Sequence, residues 1–456
     1  MTTKRETKLH SILTLATVTA LVLGLTACGG NEPTPTAEGA DPVSQAPIDL
    51  DPIAEAYVRL VLDVGQHDGD YVDAYYGPEE WKTAAAAQTR PLAEIRQAAA
   101  ELVDDLGDET ASGDDELVAL RWHYLRRQLE ALIARVDLLD GAEWSFDQEA
   151  KALYDATPPS HTEDQFTATL GELDRLLTAE GFTTGSLIER YQAFRNDFVI
   201  PKDKLDAVFR EAIDACRERT EQHMQLPEGE SFTVEYVTDK AWSGYNWYQG
   251  GFQSLIQVNT DLPIFIDRAI DLACHEGYPG HHLYNALLEK TLVRDRGWVE
   301  YSVYPLFSPQ SLIAEGSANY GIEMAFPGEE RVAYERDALF PLAGLDPSRA
   351  AIYHQVLALA DQLSYADNEA ARRYLDGEIN AEQAAEWLTR YAAREPDRAA
   401  QRIQFIDKYR SYVINYNLGK DLVAAYIEAQ SGDDEARRWQ VFEQLLSSPR
   451  LPSGLQ

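Results

Sequence analysis

Ala273-Cys274-His275-Glu276-Gly277-Tyr278-Pro279-Gly280-His281-His282 holds three of the chain's nine histidines within eight positions, with a carboxylate beside the first. Imidazole is a borderline ligand suited to Zn2+, and a Glu next to a metal-binding His is where a hydrolytic site keeps its general base. Packing alone does not explain that density. In the simple HExxH motif the two histidines stand at i and i+4 on one helical face, whereas here the later ones stand at i+6 and i+7 from His275. On an unbroken helix, i+7 returns to nearly the same face about 10.5 Å further along, and i+6 points well off it. Pro279 has no amide hydrogen to give the carbonyl of His275, and Gly280 tolerates a distorted backbone, so a kink or bulge is expected. A widened turn would carry two extra residues and bring His281 to a metal. His275 is the firm candidate ligand. His281 and His282 stay open as the second, with the other behind the site or facing an oxyanion.

Some thirty residues on, Ala314-Glu315-Gly316-Ser317-Ala318-Asn319-Tyr320 supplies a third ligand if a second helix crosses the first. A lone Glu at a helix start is usually a cap or a solvated charge. Beside this His cluster, Glu315 reads as a ligand, Gly316 allows close helix approach, and Asn319 and Tyr320 stand where they can orient a ligand or a water.

The preceding chain suggests where such a site works. Lys4, Arg5 and Lys8 lead into a stretch from Leu9 to Ala27 that is apolar, small or hydroxylated apart from His10, ending Leu25-Thr26-Ala27-Cys28-Gly29. That pattern predicts an export signal over 1–27, cleavage before Cys28 and a lipid anchor on its thiol, rather than a membrane span. Residues 28–50, rich in Pro, Ala, Thr, Gly and acids, read as a flexible tether. The expected location is the cell envelope, lipid-anchored and facing the periplasm. Residues 51–456 are expected to form one helical metallohydrolase domain, with its catalytic core at about 230–420. Only Cys216 and Cys274 remain after Cys28. Two buried unpaired thiols are expected, with a single bridge as the alternative, and Cys274 reads as a small core residue rather than a fourth ligand.

Acidic residues number 76 against 40 basic ones, for a net charge of -36, which argues against nucleic acid or anionic lipid headgroups as partners. The acidic clusters Asp104-Asp105, Asp114-Asp115-Glu116 and Asp433-Asp434-Glu435 read as solvated loops or helix starts. Apolar positions three and four apart predict helices over 115–139, 163–179, 202–224, 347–374, 381–393, 399–412 and 433–446. Around 232–236 and 255–259 the composition is that of two short strands, separated by the Gly- and aromatic-rich run Trp242 to Gly251. The fold class is therefore mainly α, with a small β-sheet next to the active-site helix. Ser254 to Asn259 could offer an edge to an extended peptide, with Tyr245, Asn246 and Tyr248 lining the cleft; an ordinary packed hairpin is the alternative.

On these motifs the chain resembles the bacterial family known as DUF885, placed among the gluzincin-like zinc metallopeptidases, whose motifs run H-E-x-x-P-G-H-H and E-G-x-x-x-Y. His275, Glu276, Pro279, Gly280, His281 and His282 match the first, and Glu315, Gly316 and Tyr320 the second. Gly69-Asp70-Tyr71-Val72-Asp73-Ala74-Tyr75-Tyr76-Gly77-Pro78 and Tyr416-Asn417-Leu418-Gly419 extend the resemblance over nearly the whole mature chain. It implies a gluzincin-like helical metallopeptidase architecture.

The chemistry expected of such a site is attack of water on a carbonyl, with Zn2+ as cofactor and Glu276 passing the proton from the water to the leaving amine. The charge that builds on the carbonyl oxygen needs a donor, and Tyr416, then Tyr409 and Arg410, are the candidates. A peptide substrate, cut by an oligopeptidase or carboxypeptidase-like enzyme at the envelope, is the leading reading. Another amide hydrolase, or a non-enzymatic binding protein that keeps its metal for structure, are the alternatives. Glu276 speaks against the last, since a purely structural site needs no base. Oligomeric state is not legible.

Overall fold

Apolar spacing becomes helix close to the expected bounds. In the computed structural model, which describes residues 48–107, 115–240 and 242–456, helices run over Glu116–Leu139, Glu163–Ala179, Leu205–Glu221, Ala381–Tyr391 and Glu435–Leu446. The side chains of Asp115 and Asp434 cap two of them by accepting from Leu117 N and Arg437 N, which is what those acidic clusters do locally. The stretch expected as one helix over 347–374 divides into a 3-10 turn, Pro347–Arg349, and helices Ala350–Asp361 and Tyr365–Leu375. The export signal, Cys28 and the tether as far as residue 47 lie outside the described residues. Among the described residues no helix is long and apolar enough to cross a membrane.

The small sheet is richer than its sequence suggested. Strands β1 (Val72–Tyr75) and β5 (Val303–Pro305) form an antiparallel pair. Strands β2 (Ser231–Val237), β3 (Gly244–Gly250) and β4 (Gln253–Asn259) form a second sheet in the order β2-β4-β3. β3 falls inside the run expected to be a spacer. Its residues alternate, Asn246 and Tyr248 buried and Trp247 exposed, the period-two pattern of a half-covered strand. β4 is central, parallel to β2 on one side and antiparallel to β3 on the other. Both its backbone edges are therefore paired, and the expectation that Ser254 to Asn259 offers an edge to a peptide is overturned.

Two contacts position the site. Helix Leu205–Glu221 packs on the turn Ala273–Gly277, bringing the Cα atoms of Cys216 and Cys274 to 5.5 Å, and a disulfide joins them. This corrects the expected pair of free thiols. Both are fully buried, as expected, but they face each other across a helix contact that sequence separation does not reveal. The second contact is between helix Pro309–Ala325, which carries Glu315, and helix Ile414–Ser431, which carries Tyr416. A Cβ placed on Gly316 would lie 2.4 Å from the carbonyl carbon and oxygen of Gly419, and one on Gly419 would lie 2.7 Å from Leu312 O. The two helices thus meet backbone to backbone.

Two outcomes follow. Replacing both Cys216 and Cys274 by Ala should lower stability by about 2–4 kcal/mol, read as a reduced denaturant midpoint that a reductant reproduces in the unmodified chain. Gly316→Ala, which neither backbone can accommodate without moving, should cost at least about 1–3 kcal/mol on the same assay.

Candidate metal centre

The local path that builds the site is a helix interrupted and restarted. Helix Asp267–Leu272 widens into a π-helical turn, Ala273–Gly277, then passes through a cis Tyr278–Pro279 peptide and Gly280 before a new α-helix, His281–Leu288, begins. Gly280 N–H donates to Cys274 O at 2.9 Å, folding the chain back on the π turn. Only glycine fits there, because a Cβ on Gly280 would lie 1.9 Å from His275 O.

This path brings together His275, His281 and Glu315. Their Nε2 and carboxylate atoms lie within 4.8 Å of one another. The two Nε2 atoms are 3.1 Å apart, and Glu315 Oε2 stands 3.3 Å from that of His275 and 3.7 Å from that of His281. Glu315 Oε1 accepts from the Tyr412 hydroxyl at 2.8 Å, while Oε2 is buried with no hydrogen-bond partner. Behind His275, Nδ1 is 3.0 Å from Asn319 Oδ1, an arrangement that places the proton on Nδ1 and the lone pair of Nε2 toward Glu315. Asn319 Nδ2 in turn donates to Tyr416 O at 3.1 Å. Two converging imidazole nitrogens and an orphaned buried carboxylate oxygen are a donor set that fits a divalent cation, and an N,N,O set suits zinc.

The charges agree. Burial works against the ionised form of Glu315, but His281 and His275 hold its carboxyl well below the usual range. Burial likewise opposes a charged His281, yet Glu315, Glu276 and Asp73 raise its pKa to about 9. Three carboxylates thus draw positive charge to one point.

Glu276 sits on the turn beside His275. Asn246 Nδ2 donates to its backbone oxygen at 2.7 Å, and its carboxylate rests against β3, where a Cβ on Gly244 would lie 2.8 Å from Oε1. Burial raises its pKa, moving a carboxylate toward the range useful to a general base. Glu276, the three ligand candidates, Tyr409, Tyr412 and Tyr416 all line one cavity of about 550 Å3.

The other expected residues are placed elsewhere. His282 is fully buried and turned from the cavity, its Nε2 2.8 Å from Glu230 Oε2 and its Nδ1 2.8 Å from Ser254 Oγ on β4. Glu230 also accepts from the Tyr278 hydroxyl and pairs with Arg217 at 2.6 Å, so His282 anchors the restarted helix to the sheet. Arg410 does not reach the cavity. The chain turns left-handed there, at a φ of 53°, and its Nε donates to Glu149 Oε2 at 2.6 Å. Tyr245 and Asn246 line the cavity, whereas Tyr248 donates to Glu289 at 2.6 Å. Sequence reasoning passed over Tyr412, which lies on the short 3-10 turn Arg410–Val413 between the helix that ends at Tyr409 and the one that carries Tyr416. It also passed over Asp73 on β1, which lines the cavity and accepts from the Tyr245 hydroxyl.

No protein-family model matches this chain, and no curated protein matches it. Among solved structures it is similar to a candidate lipoprotein from Colwellia psychrerythraea, at 18% identity over 82% of this chain and 71% of that one, with a TM-score of 0.48. It is also similar to a structure named CHT (12% identity, 87% and 90% covered, TM-score 0.42). A third is an M32 carboxypeptidase from Deinococcus radiodurans R1 (14% identity, 89% and 91% covered, TM-score 0.37). The helical body, small sheets and His/His/Glu cluster define a gluzincin-like helical metallopeptidase architecture.

The two adjacent histidines should separate cleanly on substitution. His281→Ala should abolish bound metal in elemental analysis with the fold intact, whereas His282→Ala should retain metal but lose about 1–3 kcal/mol of stability through the broken Glu230 network.

Proposed function

We propose that this chain is a zinc-dependent hydrolase of peptide bonds, of the DUF885 kind, tethered through Cys28 at the cell envelope on its periplasmic side. The observation that carries this reading is the pairing of a three-donor metal cluster with Glu276 in the same cavity. A structural metal would have no use for a buried carboxylate of raised pKa beside its first ligand.

His275, His281 and Glu315 would hold the metal, which when bound supplies Lewis acidity toward a substrate carbonyl and a more acidic water. Glu276 takes the proton of the attacking water and hands it to the leaving amine. Tyr412 is committed to Glu315, and Asn319 fixes the ring of His275, so both position ligands. Tyr416 lines the cavity, and burial together with the nearby Glu315 raises its pKa, keeping it a proton donor for the oxygen on which charge develops.

The test is metal content and peptide cleavage of the wild-type chain beside Glu276→Gln. About one zinc per chain in both proteins is expected, with turnover in the variant reduced by at least about 100-fold. Zinc without cleavage of any peptide by the wild-type chain would overturn the peptidase reading.

A further inference from the structure

The chain carries a net charge of -36, yet one wall of its metal cavity is lined by arginines. Helix Pro396–Tyr409 presents Arg398, Arg402, Phe405 and Tyr409 to that cavity, at i, i+4, i+7 and i+11, a single helical stripe. Arg394, just before the helix, and Arg195 from another helix join them in the lining.

Three carboxylates, Asp267 beside Arg195, Glu395 and Asp367, face these four guanidiniums. Asp367 serves two guanidiniums. Arg394 Nε donates to its Oδ1 at 2.8 Å, and Arg402 Nε lies 3.1 Å from its Oδ2, out of line for a hydrogen bond. Arg398 has Glu395 only at 3.9 Å and a long bond to Pro263 O at 3.4 Å. Arg195 and Arg398 stack on the same ring, Phe265, at 3.8 and 5.5 Å, so two like charges share one aromatic residue. The Nε atoms of Arg195, Arg398 and Arg402 are buried without a hydrogen-bond partner. Burial holds the pKa values of Arg398 and Arg402 below the usual guanidinium range; Arg195 and Arg394 add to the effect at Arg398, and at Arg402 Arg394 adds to it while Asp367 opposes it. A guanidinium does not deprotonate in a protein, so these groups represent an unmet demand for negative charge.

We propose that Arg398 and Arg402, backed by Arg195 and Arg394, form a carboxylate-binding subsite for the substrate. The carboxylate is either the free C-terminus of a peptide or an acidic side chain. The Arg402 guanidinium lies 6.0 Å from the centre of the Tyr416 ring, so the subsite adjoins the residue proposed to meet the developing charge. The planar fork of each guanidinium suits the two oxygens of a carboxylate. This inference rests on the peptide-hydrolase reading and names what that enzyme would select.

The test uses binding, so that it does not depend on turnover. The full-length, metal-loaded Glu276→Gln chain is exposed to two random hexapeptide pools, one with free C-termini and one amidated, and the retained peptides are sequenced by mass spectrometry. Retention of the free-acid pool at least about 10-fold above the amidated pool identifies the α-carboxylate as the ligand. Equal retention of the pools, with Asp or Glu enriched at least about 10-fold at one position, identifies a side-chain carboxylate. Either preference should collapse in Arg398→Gln and in Arg402→Gln and be partly restored in Arg398→Lys, at an unchanged denaturant midpoint. Retention indifferent to carboxylates, no retention of either pool, or a preference that survives both Gln variants would overturn the subsite. Retention with the expected preference but no cleavage by the wild-type chain would leave the subsite standing and sink the hydrolase reading alone.

Discussion

Gly316 and Gly419 let two helices meet with no side chain between them, and the geometry of the centre descends from that contact. Glu315 precedes one glycine and the Tyr412 and Tyr416 pair precedes the other, so the close crossing sets the third candidate ligand and the hydroxyl that holds it. Asn319 ties the same two helices by reaching from His275 to Tyr416 O. Any side chain at the crossing would push the Glu315 carboxylate away from His275 and His281, where tenths of an ångström decide whether three donors share one ion.

The other half of the centre is held from behind. The π turn and the restarted helix are fixed by the Cys216–Cys274 bond and by the chain Arg217–Glu230–His282–Ser254, buried apart from its half-exposed Arg217. Removing one partner from such a buried charged chain leaves the others uncompensated, so it specifies one arrangement strongly. His281 and His282 are adjacent in sequence but divide the work, one facing the cavity and the other locking the helix that presents it.

Much of this was legible beforehand. Apolar spacing located the helices, Pro279 and Gly280 announced the bulge, and Gly316 announced the crossing that makes Glu315 a ligand candidate. The choice between His281 and His282 was not legible, because i+6 and i+7 become distinguishable only once the backbone distortion is known. The disulfide was hidden for a different reason: two buried cysteines look alike whether or not their helices meet. β3 was masked by its glycines, although Tyr245 to Tyr248 alternate as a strand does. Tyr412 and Asp73 reach the cavity through tertiary contacts that no local pattern encodes, and Arg410 leaves it because a left-handed residue redirects the chain toward Glu149.

The Cys216–Cys274 bond ends one residue before His275. The oxidation state of the surroundings and the rigidity of a candidate metal ligand are therefore mechanically joined. A chain still among cytoplasmic thiols would carry this ligand on a turn unfastened from its supporting helix, and the fastening would come only where cysteines oxidise. The order of the candidate centre is in this way tied to the oxidation state of one bond.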